Sequence, residues 1–196
     1  FKTIRFAEIS SFTKGFNATA YPATIFMNES MSFHCNILAD KQQDVINELA
    51  GHELSHLWWG NSQIDPDDRE GDVMLTETLA MYTELMLLKK MYGKQKAEEA
   101  VAMHQEIFER EKGFSGYVPL IKVTGDLTHI SYSKGALTMY KLSELIGEEK
   151  VNLALKNFLT KNKYPALKPI STDFLDEVIE VSNKKFHKRI KELFYN

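Results

Sequence analysis

A His-Glu-x-x-His pentad at His52, Glu53 and His56 constrains this chain more than any other stretch. On a helix, residues four apart lie on one face, about one turn from each other. Two imidazoles then aim at a single point. That suits a tetrahedral Zn²⁺ bound through nitrogen, with one position left open for chemistry. Glu53 is rotated off the histidine axis, where a carboxylate can act on water as a general base without being a ligand. The flanking sequence supports a helix. Asp40 with Gln43 three residues later has the form of a capping box, and Gly60 offers a stop. Val45, Leu49, His52 and His56 share one helical stripe, and Ile46, Ala50, Glu53 and Leu57 its neighbour. Both histidines thus continue an apolar stripe toward the core, where an unpartnered imidazole is costly. A shared metal satisfies both. The competing reading is a helix with two partly buried, hydrogen-bonded histidines.

A second helix is expected from about Met74 to Tyr92, stopped by Gly93. Glu77, Met81, Glu84 and Leu88 lie along one stripe of it, among apolar neighbours. Acidic residues there need partners. One can supply a third metal ligand and the other can hold a ligand histidine by its second ring nitrogen; both can equally be surface glutamates. The loop between the helices, Asn61 to Asp72, carries an acidic run that lacks EF-hand spacing and reads as solvated rather than calcium-binding.

The remaining stretches build the frame. Residues 1–39 read as a β part, with strands at Ile4–Ile9, Thr24–Met27 and Met31–Phe33, and with His34 and Cys35 packed in a strand. Residues 40–196 read as a helical part. A charged helix, Lys94–Lys112, has a narrow apolar side of Ala97, Ala100, Val101, Ile107 and Phe108. A Gly-containing loop, Gly113–Asp126, precedes a helix at Ile130–Ile146. Two more helices, Glu149–Asn162 and Thr172 to the end, flank an extended linker at Tyr164–Pro169. The basic run Lys184–Arg189 reads as a solvated helix face.

Composition excludes several classes. A net charge of -3 is too small to suggest a nucleic-acid partner. A single cysteine, Cys35, rules out an intrachain disulfide and a Cys-rich zinc site. No apolar run approaches the roughly 18 residues that span a bilayer. The chain begins at Phe1 without a Met, so it reads as a single domain, 1–196, excised from a longer protein with flanking domains. Its compartment is not legible.

The stretch His52-Glu53-Leu54-Ser55-His56-Leu57-Trp58-Trp59-Gly60-Asn61 resembles the gluzincin metallopeptidases of the aminopeptidase N and leukotriene hydrolase type. That family follows its pentad with a motif like L-N-E-G-x-A-x-Y-x-E, here Leu75-Thr76-Glu77-Thr78-Leu79-Ala80-Met81-Tyr82-Thr83-Glu84. Ser131-Tyr132-Ser133-Lys134-Gly135 is similar to its Tyr-x-Lys-Gly segment. The likeness runs from about Pro22 to Leu159. It implies an α+β, thermolysin-like zincin catalytic domain: a small N-terminal sheet, then a mainly helical lobe. It implies one Zn²⁺ on His52, His56 and Glu77, with Glu84 supporting a histidine from behind. It implies Glu53 as general base and Tyr132 as a stabiliser of the transition state. The implied activity is hydrolysis of peptides. Alternatives are a non-catalytic scaffold that keeps the fold, and a zinc hydrolase acting on a non-peptide such as an epoxide.

Two departures stand out. Twenty residues separate His56 from Glu77, two more than is usual in the family, a tolerable loop insertion. The family's G-x-M-E-N segment, whose Glu anchors a substrate ammonium, should fall on Asn17-Ala18-Thr19-Ala20-Tyr21-Pro22, where no residue is acidic. Glu29 is the candidate substitute.

Overall fold

The computed structural model describes residues 2–10, 17–30, 32, 34, 36, 40–60, 62–69, 71–125 and 127–196, with the backbone alone for 40–46. Three strands come first: β1 (Arg5–Ile9), β2 (Ala18–Tyr21) and β3 (Thr24–Asn28). They form one sheet in the order β1-β3-β2. β1 runs parallel to β3 with Phe6 opposite Ile25, and β2 runs antiparallel with Ala20 opposite Ile25. Ile25 and Met27, two apart on β3, share one face and are both buried.

The sheet differs from the sequence reading. β2, which the sequence reading did not mark, lies on Ala-Thr-Ala-Tyr, where Thr19 and Tyr21 favour strands, Ala18 and Ala20 do not, and pairing with β3 completes it. No strand forms at Ser32, which sits in a turn, and Met31 and Phe33 lie outside the described residues. His34 is exposed in a turn rather than packed in a strand. Its backbone N–H bonds the Glu29 carbonyl, closing the chain on itself instead of on the sheet. Cys35 and the side chains of the expected Asp40–Gln43 capping box also lie outside the described residues.

The helical part follows: α1 (Asp40–Ser55), α2 (Leu79–Tyr92), α3 (Lys94–Glu111), α4 (Gly135–Ile146), α5 (Glu148–Asn162), α6 (Ser171–Val181) and α7 (His187–Tyr195). α2 and α4 are each entered through a π-helical turn, Met74–Thr78 and His129–Lys134. Single turns of this kind widen a helix by one residue. Short 3₁₀ turns sit at Leu120–Lys122 and Lys184–Phe186.

The core lies among α2, α4, α5, α6 and α7. Phe174 meets Phe158 and Phe194 edge-on, with ring centroids 5.6 and 6.3 Å apart. Such pairs add roughly 0.5–1.5 kcal/mol beyond the burial of their area. The expected single C-terminal helix breaks at Ser182, where Asn183 caps the next turn by accepting the Lys185 N–H at 3.0 Å. On one straight helix, Phe174 and Ile190 would point about 160° apart, at 100° per residue. The break lets both enter the same core. The basic residues Lys184, Lys185, Lys188 and Arg189 are exposed, as expected.

The linker Tyr164–Pro169 lies along the acidic loop. The Tyr164 N–H bonds the Gln63 carbonyl at 2.9 Å, and the Asp67 N–H bonds the Pro169 carbonyl at 3.0 Å. Lys168 and Arg69 take up the charges of Asp65 and Asp67 at the surface. Among the described residues, no helix is long and apolar enough to cross a membrane.

Gly71 fastens the approach to α2. Its φ is +92°, and its N–H bonds the Val123 carbonyl. A Cβ there would lie 2.2 Å from Ser171 Oγ and 2.3 Å from the Ile121 carbonyl oxygen. Gly71→Ala is expected to cost about 2–4 kcal/mol through backbone strain and overpacking. Urea unfolding should show a lower midpoint at unchanged slope.

Candidate active site

The site forms where α1 crosses α2. Gly51 permits the close approach, since a Cβ there would lie 2.8 Å from Leu87 Cδ2. His52 follows directly and is 7% exposed. Its Nε2 lies 3.1 Å from Glu77 Oε2, and its Nδ1 lies 3.3 Å from Glu84 Oε2. α1 ends at Ser55, earlier than the expected stop at Gly60. The His56 and Leu57 N–H groups bond carbonyls three residues back, tightening the last turn. This lets Trp59 turn inward, where it is buried and its indole N–H meets Thr83 Oγ1 at 3.1 Å. The Trp59 carbonyl in turn accepts from His56 Nδ1 at 2.9 Å. His56 Nε2 is thereby left toward Glu77 Oε2, 3.6 Å away.

One ligand atom from each of His52, His56 and Glu77 lies within 4.8 Å of the others. Two imidazole nitrogens and a carboxylate oxygen suit zinc with an open fourth position. The outer nitrogens are already engaged, His52 by Glu84 and His56 by a carbonyl. That fixes which nitrogen of each ring faces the shared point. Among the described residues a second group of this kind, Glu8, Glu29 and His34, sits at the end of the sheet and is largely exposed.

The electrostatics follow from burial and partners. Burial alone would lower the His52 pKa, but hydrogen bonds and charge from Glu77 and Glu84 outweigh it and raise it to about 10. Burial holds His56 below its ordinary value against the attraction of Glu77. Burial would raise Glu77, yet the His52 hydrogen bond, the His56 charge and the Tyr132 hydroxyl together hold it low. Glu53 is 6% exposed, and burial raises it to about 7 against the pull of His52. Burial and the surrounding glutamates, Glu77 first, keep the Tyr132 phenol protonated.

Tyr132 stacks on His52, with ring centroids 5.3 Å apart and planes 15° from parallel. Both Glu53 and Tyr132 line a cavity of about 220 Å³ together with His56 and Glu77. Its opposite wall is Ala18 to Pro22. Four consecutive residues of β2 line it, so the strand presents its backbone edge there rather than one face. Glu29 is not among the residues lining the cavity; it stands with Glu8 and His34.

The sequence reading missed three participants. His104 on α3 is buried, and its Nδ1 lies 3.3 Å from Ser133 Oγ. It falls four residues after Ala100 and four before Phe108, so the apolar spacing of that helix marked it. Thr83 and the Trp59 carbonyl carry no such mark.

A scan against protein-family models matches the description Peptidase family M1 domain over residues 14–195. The chain belongs to this family. Among curated relatives, glutamyl aminopeptidase of Bos taurus is 26% identical over 159 residues, covering 74% of this chain and 16% of that protein. The chain thus spans about a sixth of that relative's length. Two solved structures share the fold. An M1 zinc metallopeptidase mutant from Deinococcus radiodurans, bound to a Tyr-Ser-Ala substrate, has a TM-score of 0.68 at 18% identity, covering 97% of this chain and 38% of that one. Leukotriene A4 hydrolase from Saccharomyces cerevisiae has a TM-score of 0.68 at 16% identity, covering 97% and 29%.

A metal would need His52 neutral, whereas Glu77 and Glu84 raise its pKa to about 10. Zinc binding near neutral pH should therefore release about one proton, and affinity should rise with pH up to that value. Calorimetry in buffers of different ionisation enthalpy measures this. Glu84→Gln should weaken zinc binding by roughly 10- to 100-fold.

Proposed function

We propose that the chain is the catalytic part of a zinc-dependent peptidase, with His52, His56 and Glu77 holding the metal. The observation that carries this is the convergence of those three ligand atoms, with His56 and Glu77 lining one cavity together with Glu53 and Tyr132. Bound there, zinc would supply a Lewis acid for the scissile carbonyl and lower the pKa of water.

The protein groups divide the remaining work. Glu53, poised near 7, takes a proton from water and passes it to the leaving amine. Tyr132 stays protonated and donates to the oxyanion as it develops. Glu84 and the Trp59 carbonyl hold the two imidazoles in orientation. A scaffold role would leave Glu53 and Tyr132 without a task.

The substrate lies along β2 as an added strand. β2 has one neighbour in the described sheet, and its other edge faces the cavity. Backbone pairing of this kind binds extended peptides. The peptide bound to the Deinococcus radiodurans neighbour accords with such a substrate. The wall at Ala18–Pro22 is uncharged, so it recognises the peptide backbone rather than a terminal ammonium.

Glu53→Gln should lower kcat/KM by roughly 10²- to 10⁴-fold with zinc content unchanged. Unchanged turnover in this variant would overturn the assignment. A peptide and its N-acetylated form should be cleaved at comparable rates. An anchoring carboxylate would instead appear as a loss of about 10- to 100-fold on acetylation.

A further inference from the structure

Glu77 and Tyr132 reach the cavity from two different helices, yet both stand in π-helical turns. Such a turn misaligns the backbone ladder and persists where something holds it. In the turn His129–Lys134, the Gly135 N–H bonds the carbonyls of Ile130 and Tyr132 and passes over that of Ser131. The Ser131 carbonyl is met from the other helix. Thr78 Oγ1 donates to it at 2.6 Å, and both residues are buried, at 0% and 1% exposure.

Thr78 is unusual within its own helix. Threonine hydroxyls in helices ordinarily bond a carbonyl three or four residues back. Thr76 bonds the carbonyls of Asp72 and Val73 in this way, and Thr83 bonds that of Leu79. Thr78 instead spans to a segment 53 residues away. The approach is close: a Cβ on Gly135 would lie 2.4 Å from Thr78 Oγ1 and 2.8 Å from its Cγ2. Thr78 directly follows Glu77, and Ser131 directly precedes Tyr132. On the far side, His104 meets Ser133 Oγ, so Tyr132 is flanked by two tethered residues.

We propose that Thr78 is a positioning residue whose hydroxyl locks the two π turns together, so that Glu77 and Tyr132 hold one fixed separation. This rests on the peptidase reading for its catalytic consequence, but the mechanical link stands apart from it. Thr78→Val keeps the shape and removes the donor, whereas Thr78→Ser keeps the donor.

The test compares the wild-type chain with both variants by three measurements. Zinc affinity is taken by chelator competition, and hydrogen exchange of residues 129–135 is followed with and without zinc. Peptide hydrolysis gives kcat and KM. In the wild type, zinc should slow exchange across 129–135 through the lock. Thr78→Val should lose that response and drop kcat by about 10- to 100-fold at little-changed KM, with zinc affinity within a fewfold of wild type. Thr78→Ser should restore both. Thr78→Ala stands in for valine if the latter does not fold. Wild-type exchange and turnover in the valine variant would overturn the proposal, and so would equal losses in valine and serine variants, which mean packing alone. If the wild-type chain cleaves no peptide, the peptidase reading fails while the exchange comparison still decides the lock.

Discussion

His52 is held between two carboxylates, and the surrounding architecture depends on that contact. A buried imidazole without partners costs several kcal/mol. Here each nitrogen has one: Glu77 at 3.1 Å and Glu84 at 3.3 Å. Both carboxylates come from one continuous helical stretch, two turns apart, so the ring bridges α1 to a long span of its neighbour. Gly51 removes the side chain that would hold the helices apart. The face of the same ring receives Tyr132. One side chain therefore sets the relation of three segments that lie far apart in the chain.

The parts of this arrangement legible in the sequence are those set by helical period. His52 and His56 are one turn apart, and Glu77 and Glu84 two turns apart, and periodicity reads such spacings directly. The unread parts are set by tertiary contact. β2 forms on Ala18–Tyr21 through its pairing with β3, since only Thr19 and Tyr21 of its four residues favour strands. The π turns differ from α-helix by one residue of register, which no hydrophobic pattern resolves over so short a span. The early end of α1 follows from burying Trp59, and the break after Val181 from turning Ile190 and Phe194 into the core already occupied by Phe174. Each local choice was overruled by packing that the sequence shows only when the partner is known.

The site divides its work between two kinds of element. The titratable groups at the cavity sit on helices, whose buried faces are fixed by a core of interlocked aromatic and aliphatic side chains. The cavity wall opposite them is an edge strand of the described sheet, with small side chains at Ala18 and Ala20. Helical side chains packed on both sides keep their geometry to fractions of an ångström, as catalysis requires. An edge strand offers unpaired backbone groups whatever the residue at each position. One side of the cavity is thus set by residue identity and the other by backbone direction.

The same contacts make the stability of the fold depend on pH. His52 binds its proton more tightly in the folded chain, at about 10 against an ordinary 6.5. Its contribution to stability is therefore fully present below about 6.5 and is lost as pH rises through about 10. Glu77 is shifted the other way. Its contribution is present above the ordinary carboxylate range and is lost as pH falls through its lowered value. Both hold near neutral pH, where a protonated His52 stands between Glu77 and Glu84 and ties α1 to α2.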